Sequence, residues 1–196
     1  MKLQQATLEN KDFWESHHYR LPGFDRTAVV QRTKQTPVWL HLGAGNIFRA
    51  FLGEVQQAML EQGKAQTGII VAEGYDPEII EKAYAPTDNL CLSVKMKADG
   101  RMVKTVVASI TEALRMDPAL ADWERLEEIF RAPSLQMVSF TITEKGYALG
   151  PQAGAFYPGV AADFAAGPQK AETYMGRLTA LCLERFRAGR LPVALV

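Results

Sequence analysis

Cysteine is nearly missing from this chain. Cys91 and Cys182 stand far apart, with no Cys-x-x-Cys and no histidine beside either. That spacing argues against a disulfide framework or a zinc site, and reads as two ordinary buried thiols in a reducing cytoplasm. Histidine is scarce as well, at three residues. His17-His18 lies in a polar stretch and reads as surface, whereas His41 lies in an apolar run and reads as a packed, hydrogen-bonded core residue. Net charge is absent, with 22 Lys+Arg against 22 Asp+Glu. No basic face follows, so neither nucleic acid nor an anionic membrane is an expected partner. No apolar run approaches the ~20 residues of a membrane span. The opening Met1-Lys2-Leu3-Gln4-Gln5 lacks the apolar core of a signal peptide. Gly-x-Ser-x-Gly, His-Glu-x-x-His and phosphate-loop lysine patterns are missing too.

What is present is enough apolar residue, 47% of 196, to bury the core of one domain. Residues 1–36 are polar and mixed, with a Pro22-Gly23 turn, and read as an N-terminal arm packed on a domain over residues 37–196. The most informative stretch runs from Val38 to Phe51. A short apolar strand, Val38 to Leu42, stops at Gly43-Ala44-Gly45 and passes into a helical pattern from Asn46 to about Gln62. There Phe48, Phe51, Leu52, Val55 and Met59 follow helical spacing and are expected to face the core. Asn46 is the expected N-cap and Gly63 the expected stop.

Gly68 to Ala72 is a continuous apolar run of the kind buried in parallel sheets, and a short helix is expected from Pro77 to Ala85. Leu90 to Lys97 and Met102 to Ile110 flank Asp99-Gly100, a hairpin signal and an elaboration of simple βαβ order. A helix over Pro118 to Ala132, with Leu120, Trp123, Leu126 and Phe130 on one face, leads to a strand from Leu135 to Thr143. Gly150 to Gly167 reads as loop. Lys170 to Arg187 reads as a long helix with Ala171, Tyr174, Leu178, Leu181 and Cys182 inward, and Leu191 to Val196 as a strand. The fold class expected is α/β, a mainly parallel sheet flanked by helices. The strand-like ending suggests that a parent protein continues past residue 196.

Strand, glycine turn and helix start, in that order, are how a dinucleotide pyrophosphate is held. Gly43 permits the tight turn, and Gly45 lets the backbone approach the phosphates. The anion then rests on N–H groups from Asn46 to Phe48, with Arg49 adding charge, and Leu42, Ala44 and Ile47 complete the set of residues expected to bind the cofactor here. Phe48 replaces the third glycine of the usual pattern, which implies looser helix–strand packing. The bland alternative is a plain turn between core elements. Glu73, at the end of the second strand, is placed to accept adenosine ribose hydroxyls and to favour NAD over NADP, with Asp76 as competitor and a solvated acid as the alternative. Ser109, after the hairpin, either touches cofactor or merely caps. Thr143 leaves the carboxyl end of a strand, where ligands bind. In Thr141 to Tyr147, Lys145 and Tyr147 invite a catalytic reading, against a Glu144–Lys145 ion pair or turn chemistry.

Taken together, Pro22-Gly23-Phe24-Asp25-Arg26, His41 to Phe51, Val106-Val107-Ala108-Ser109-Ile110 and Thr141-Ile142-Thr143-Glu144-Lys145-Gly146-Tyr147 resemble the N-terminal half of the mannitol dehydrogenase family, the polyol-specific long-chain dehydrogenases with fructuronate and tagaturonate reductases. Arg49 and Phe51 stand where mannitol-type members often carry histidine, so the pattern is closer to the uronate reductases. The resemblance implies a Rossmann-type domain holding NAD(H). It also implies a mostly helical C-terminal domain that supplies a lysine acid/base with nearby asparagine and histidine and binds a small carbohydrate. None of those catalytic residues lies within 196 residues, so this fragment alone is expected to be inactive. The other reading is a non-catalytic Rossmann-like nucleotide-binding or scaffold domain.

Overall fold

A computed structural model describes residues 1–152 and 154–196, without the side chains of Glu144 and Lys145. Residues 1–36 hold a 3-10 turn (Gln5–Glu9), helix α1 (Lys11–Ser16), the two-residue strand β1 (Tyr19–Arg20) and helix α2 (Arg26–Gln35). The last was not expected. It starts because the Asp25 carboxylate accepts the Ala28 N–H at 3.0 Å, an N-cap. Arg26 is buried and donates to the carbonyls of Ala108 (3.3 Å), Ile110 (3.4 Å) and Asp88. Leu8 and Trp14 pack with Leu90, Val106 and Ala108.

Strand β2 (Trp39–Leu42) enters a helix that spans residues 46–61, a π-helical stretch at Phe48–Leu52 followed by α3 (Gly53–Glu61). Then come β3 (Ile69–Glu73), a second π-helical stretch (Ile80–Tyr84) with a 3-10 turn (Ala85–Thr87), β4 (Cys91–Met96) and β5 (Met102–Val107). After these follow β6 (Ile110–Arg115), α4 (Asp122–Arg131), β7 (Met137–Phe140), α5 (Glu144–Tyr147), α6 (Pro158–Ala166), α7 (Tyr174–Arg187) and β8 (Ala194–Leu195).

The main sheet has the order β6-β3-β2-β7-β8, and every pairing in it is parallel. The chain builds outward from β2 through β3 to β6, then returns to β7 on the other side. The reversal lies between β2 and β7, the switch point at which open α/β sheets bind ligands. Alternation divides the core. Leu40, Ile70, Ala72 and Val138 meet Leu126, Phe130, Leu178 and Leu181 on the α4/α7 face. Ile69, Val71 and Ile110 meet Phe48, Ile80 and Tyr84 on the other.

The hairpin pairs as expected, Cys91 to Met96 against Val107 to Met102, but forms its own sheet with β1 alongside β5. The expected single strand from Met102 to Ile110 is two. At Ala108 the N–H goes to Gln57 Oε1 (2.7 Å) instead of a ladder partner, and the Ser109 carbonyl accepts the Ile69 N–H at 2.9 Å. The chain thereby leaves one sheet and starts β6 in the other.

The first helix is rolled relative to expectation. Phe48, Gly53, Gln56, Gln57 and Leu60 face inward, while Phe51, Val55 and Met59 face out. Gly53 sets the roll, since a Cβ there would stand 3.1 Å from Val107. The two glutamines are satisfied inside: Gln56 Nε2 donates to Thr67 O (2.6 Å) and Gln57 Nε2 to Val106 O (3.0 Å). Asn46 lies inside the helix, whose first bond runs from Arg49 N–H to Gly45 O (3.2 Å), so Gly45 takes the capping position. Gly63, at φ +67, ends it as expected.

The stretch 150–167 is not all loop. Pro158 opens α6, where a missing N–H costs nothing, and Gly167 at φ +83 closes it. The long helix starts at Tyr174 rather than Lys170, because the Thr173 hydroxyl accepts the Gly176 N–H at 3.1 Å. The strand after Leu135 is confined to Met137–Phe140.

Arg185 joins three elements. Only 2% exposed, it donates to the carbonyls of Phe130, Ala132, Leu135, Leu191 and Pro192 at 2.7–3.1 Å. These lie at the end of α4, in the approach to β7 and in the approach to β8. Arg185→Met keeps the length but removes the donor that these carbonyls share, leaving only Ala132 O, among the described residues, with another partner, the Leu135 N–H at 3.2 Å, and should cost about 3 kcal/mol or more. A urea midpoint unchanged from wild type would refute this clamp.

Candidate functional site

The glycine turn stands at the switch point. Leu42 ends β2, and its carbonyl accepts the Thr141 N–H from beyond β7 at 3.0 Å. Gly43 has φ +116, and a Cβ there would lie 2.9 Å from Thr141 O and 3.0 Å from Thr141 Oγ1. Its own N–H donates to Ala72 O at 2.8 Å. Only glycine satisfies both the dihedral and the contact. Gly45 is different: a Cβ there would meet nothing within 4 Å. Its outer side is open, and the first-turn N–H groups of residues 46–48 have no partner within the helix.

Ala44 is held at both ends. Glu73 Oε2 accepts its N–H at 2.8 Å, and its carbonyl accepts the Tyr84 hydroxyl at 2.8 Å. The other carboxylate oxygen, Glu73 Oε1, accepts the N–H groups of Tyr75 (2.8 Å) and Asp76 (3.3 Å). Glu73 therefore bridges the glycine turn and the turn after β3, with its side chain at the carboxyl edge. Asp76 is exposed beside it, and Tyr75 is 91% exposed. Burial raises the Tyr84 hydroxyl well above the ordinary phenol range, so it stays a neutral donor.

Phe48 does not loosen the packing. It is fully buried and stacks on the His41 ring at 4.4 Å between centroids, with 6° between planes. His41 bonds Ser139 Oγ through Nδ1 (2.7 Å) and Thr141 Oγ1 through Nε2 (3.1 Å), while Trp39 Nε1 donates to the same Ser139 oxygen at 2.7 Å. Burial pushes the imidazole down to about 4, so it is the neutral ring that pins Thr141 against Gly43. The Arg49 guanidinium donates to Asn46 Oδ1 and lies 5.7 Å from the Tyr84 ring centre. Ile47 points outward, 70% exposed.

The structure thus brings Leu42 to Arg49, Glu73 and Asp76 together at one edge, with Thr143 exposed beyond the carboxyl end of β7. Ser109 is not among them. It is fully buried at the opposite, amino end of the sheet, next to Ile110, which pairs with the first residue of β3, and its hydroxyl donates to Gly53 O at 2.6 Å. The expected Glu144–Lys145 pairing and any role of the Lys145 side chain lie outside the described residues. Tyr147 is half-exposed. Sequence reading missed Tyr84 and Thr141, whose partners lie 40 and 100 residues away. Among the described residues, no cluster of three metal-ligating side chains occurs, and no helix is long and apolar enough to cross a membrane.

An all-parallel, doubly wound sheet with a glycine turn at its switch point defines a Rossmann-type domain. No protein-family model matches the chain. It is 50% identical over 196 residues to D-mannonate oxidoreductase of Thermotoga maritima, a match spanning 100% of this chain and 36% of that protein. It is 31% identical over 191 residues to mannitol 2-dehydrogenase of Pyrenophora tritici-repentis, spanning 94% of this chain and 32% of that one. The structure of Pseudomonas fluorescens mannitol 2-dehydrogenase in ternary complex with NAD and D-mannitol shares the fold at TM-score 0.78 and 22% identity, covering 100% of this chain and 38% of that one. The chain is homologous to the N-terminal part of these mannonate and mannitol oxidoreductases and spans about a third of the length of the curated relatives it matches.

His41 makes stability depend on pH. Its ring stays neutral when folded down to about 4, against 6.5 unfolded, so its contribution is complete above 6.5 and is lost as pH falls toward 4. The shift is worth about 3 kcal/mol at most. Urea midpoints measured between pH 7 and 4.5 should fall steeply in wild type and less steeply in His41→Gln. Equal slopes would refute the assignment.

Proposed function

We propose that residues 37–196, with the 1–36 arm packed on them, are the dinucleotide-binding domain of an oxidoreductase that moves a hydride between NAD(H) and a sugar acid or polyol. The observation that carries this is the open Gly45 at a helix start, in a turn tied by Glu73 to the end of the neighbouring strand. Backbone N–H groups at residues 46–48 would hold the pyrophosphate, helped by the helix dipole and the nearby Arg49. Glu73 retains lone pairs for ribose hydroxyls, and its charge opposes a 2′-phosphate, which favours NAD over NADP. Asp76 lies within the turn after β3, and Thr143, exposed beyond the carboxyl end of β7, would meet the cofactor from the other side of the switch point.

Bound NAD supplies the hydride-accepting ring; this chain's residues bind and orient it. The 50% identity to a D-mannonate oxidoreductase supports a sugar acid of the mannonate/fructuronate type as substrate. Substrate contacts and the acid/base group would come from the C-terminal domain of the parent protein. Cys91 and Cys182 are both free thiols, which fits a reducing cytoplasm.

Titration calorimetry of the isolated chain should detect NADH, and Glu73→Ala should weaken NADH about tenfold or more while narrowing the gap to NADPH. No heat at millimolar NADH would favour the non-catalytic scaffold reading instead. Equal loss of both cofactors in Glu73→Ala would shift the discriminating role to Asp76. The pure chain should not oxidise D-mannonate or mannitol with NAD; measurable turnover would overturn the division of labour between domains.

A further inference from the structure

The helix over residues 46–61 does not sort its residues by polarity: Phe48 and Leu60 are buried, but so are polar residues, and large apolar ones are left outside. Its inner side carries two buried glutamines, Gln56 and Gln57, each bonded to a distant carbonyl. Its outer side carries Ile47, Phe51, Val55 and Met59, exposed by 70, 62, 44 and 36%. These recur every fourth residue and so form one continuous stripe along the helix. The π-helical stretch Phe48–Leu52, with its wider turn, offsets the drift that such spacing gives in a regular α-helix. Isolated exposed apolar residues need no explanation, but an unbroken stripe on a helix that buries two glutamines instead does.

We propose that this stripe seats the further polypeptide that the longer relatives carry beyond the stretch matched here, docking in cis against the first helix. The relatives provide the occupant, since the chain accounts for only 36% and 32% of their lengths. Size distinguishes this from self-association. A stable complex of free partners takes about 800 Å² from each side, more than a one-helix stripe offers. A covalently joined domain, at an effective concentration of about millimolar, is held by less. Position agrees: Ile47 adjoins the glycine turn, so a segment seated on the stripe reaches the crevice mouth. That last step rests on the dinucleotide reading above; the docking itself does not.

The test is a chimaera in which this chain replaces the matched N-terminal stretch of the Thermotoga maritima D-mannonate oxidoreductase. Hydroxyl-radical labelling of Phe51 and Met59, with the distant Phe186 as reference, should be about fivefold slower in the chimaera than in the isolated chain. Phe51→Glu with Val55→Glu should restore labelling of Met59 in the chimaera and leave NADH binding by the isolated chain unchanged. Unchanged labelling on joining overturns the proposal. So does an isolated chain that sediments as a dimer with the stripe already protected. Should the chimaera not fold, a nitroxide on the full-length relative at the positions aligned with Phe51 and Val55 gives the same reading. Immobilised spectra support docking and freely tumbling ones overturn it. NADH affinity, measured separately, fails only if the dinucleotide reading fails.

Discussion

The contact on which the rest of the site depends is the backbone approach between Gly43 and Thr141. It closes the gap between β2 and β7, where the sheet reverses direction and its crevice opens. At φ +116, with Thr141 O where a Cβ would stand, the position admits no side chain. Everything around it reinforces that approach. His41 pins the Thr141 hydroxyl, Phe48 covers His41, and the Leu42 carbonyl takes the Thr141 N–H. Phe48 thus replaces close helix–strand contact with a stacked aromatic pair, and the turn stays narrow although a third glycine is missing.

Glu73 makes the second constraint. One carboxylate accepting three backbone N–H groups joins two turns that belong to different strands. Charge-assisted bonds of this kind are about twice as strong as neutral ones. The acid therefore shapes the turn it serves: its charge is spread over Ala44, Tyr75 and Asp76 before any ligand arrives. A residue placed only to meet a ribose would have no reason to reach back to Ala44. Tyr84, neutral and buried, closes the same unit from the other side by donating to the Ala44 carbonyl.

Local features were legible in the sequence, and pairings decided at a distance were not. The run Val38 to Leu42, its glycines and the helix beyond are specified within fourteen residues, and so was the Asp99-Gly100 hairpin. By contrast, β6 was hidden because the choice between two sheets is made at Ala108 and Ser109 by Gln57 and Ile69, far away in sequence. Ser109 looked like a site residue for the same reason, since its end of the sheet follows from pairing order and not from spacing. Helix α6 was hidden by composition: glycine, alanine and proline read as loop until Pro158 and Gly167 are recognised as a start and a stop. That Glu73 ends a strand was legible from the apolar run before it, but its bonds to Ala44 and its neighbours were invisible to any local pattern.

The rolled first helix joins these points. Its inner side must present Phe48 to His41 and a bare Gly53 to Val107, and those two contacts leave no rotational freedom. The glutamines that follow are then carried inward, where Thr67, Val106 and Ala108 offer backbone partners, while Phe51 and Val55 are carried outward. Hydrophobic periodicity alone favours the opposite roll, with Phe51, Val55 and Met59 in the core. Periodicity loses because a ring stack and a Cβ-free contact are positional, whereas apolar burial is satisfied by any cover. The outward apolar side is therefore a consequence of building a tight glycine turn at this strand end, and it transfers the burden of covering that side to whatever the fold meets next.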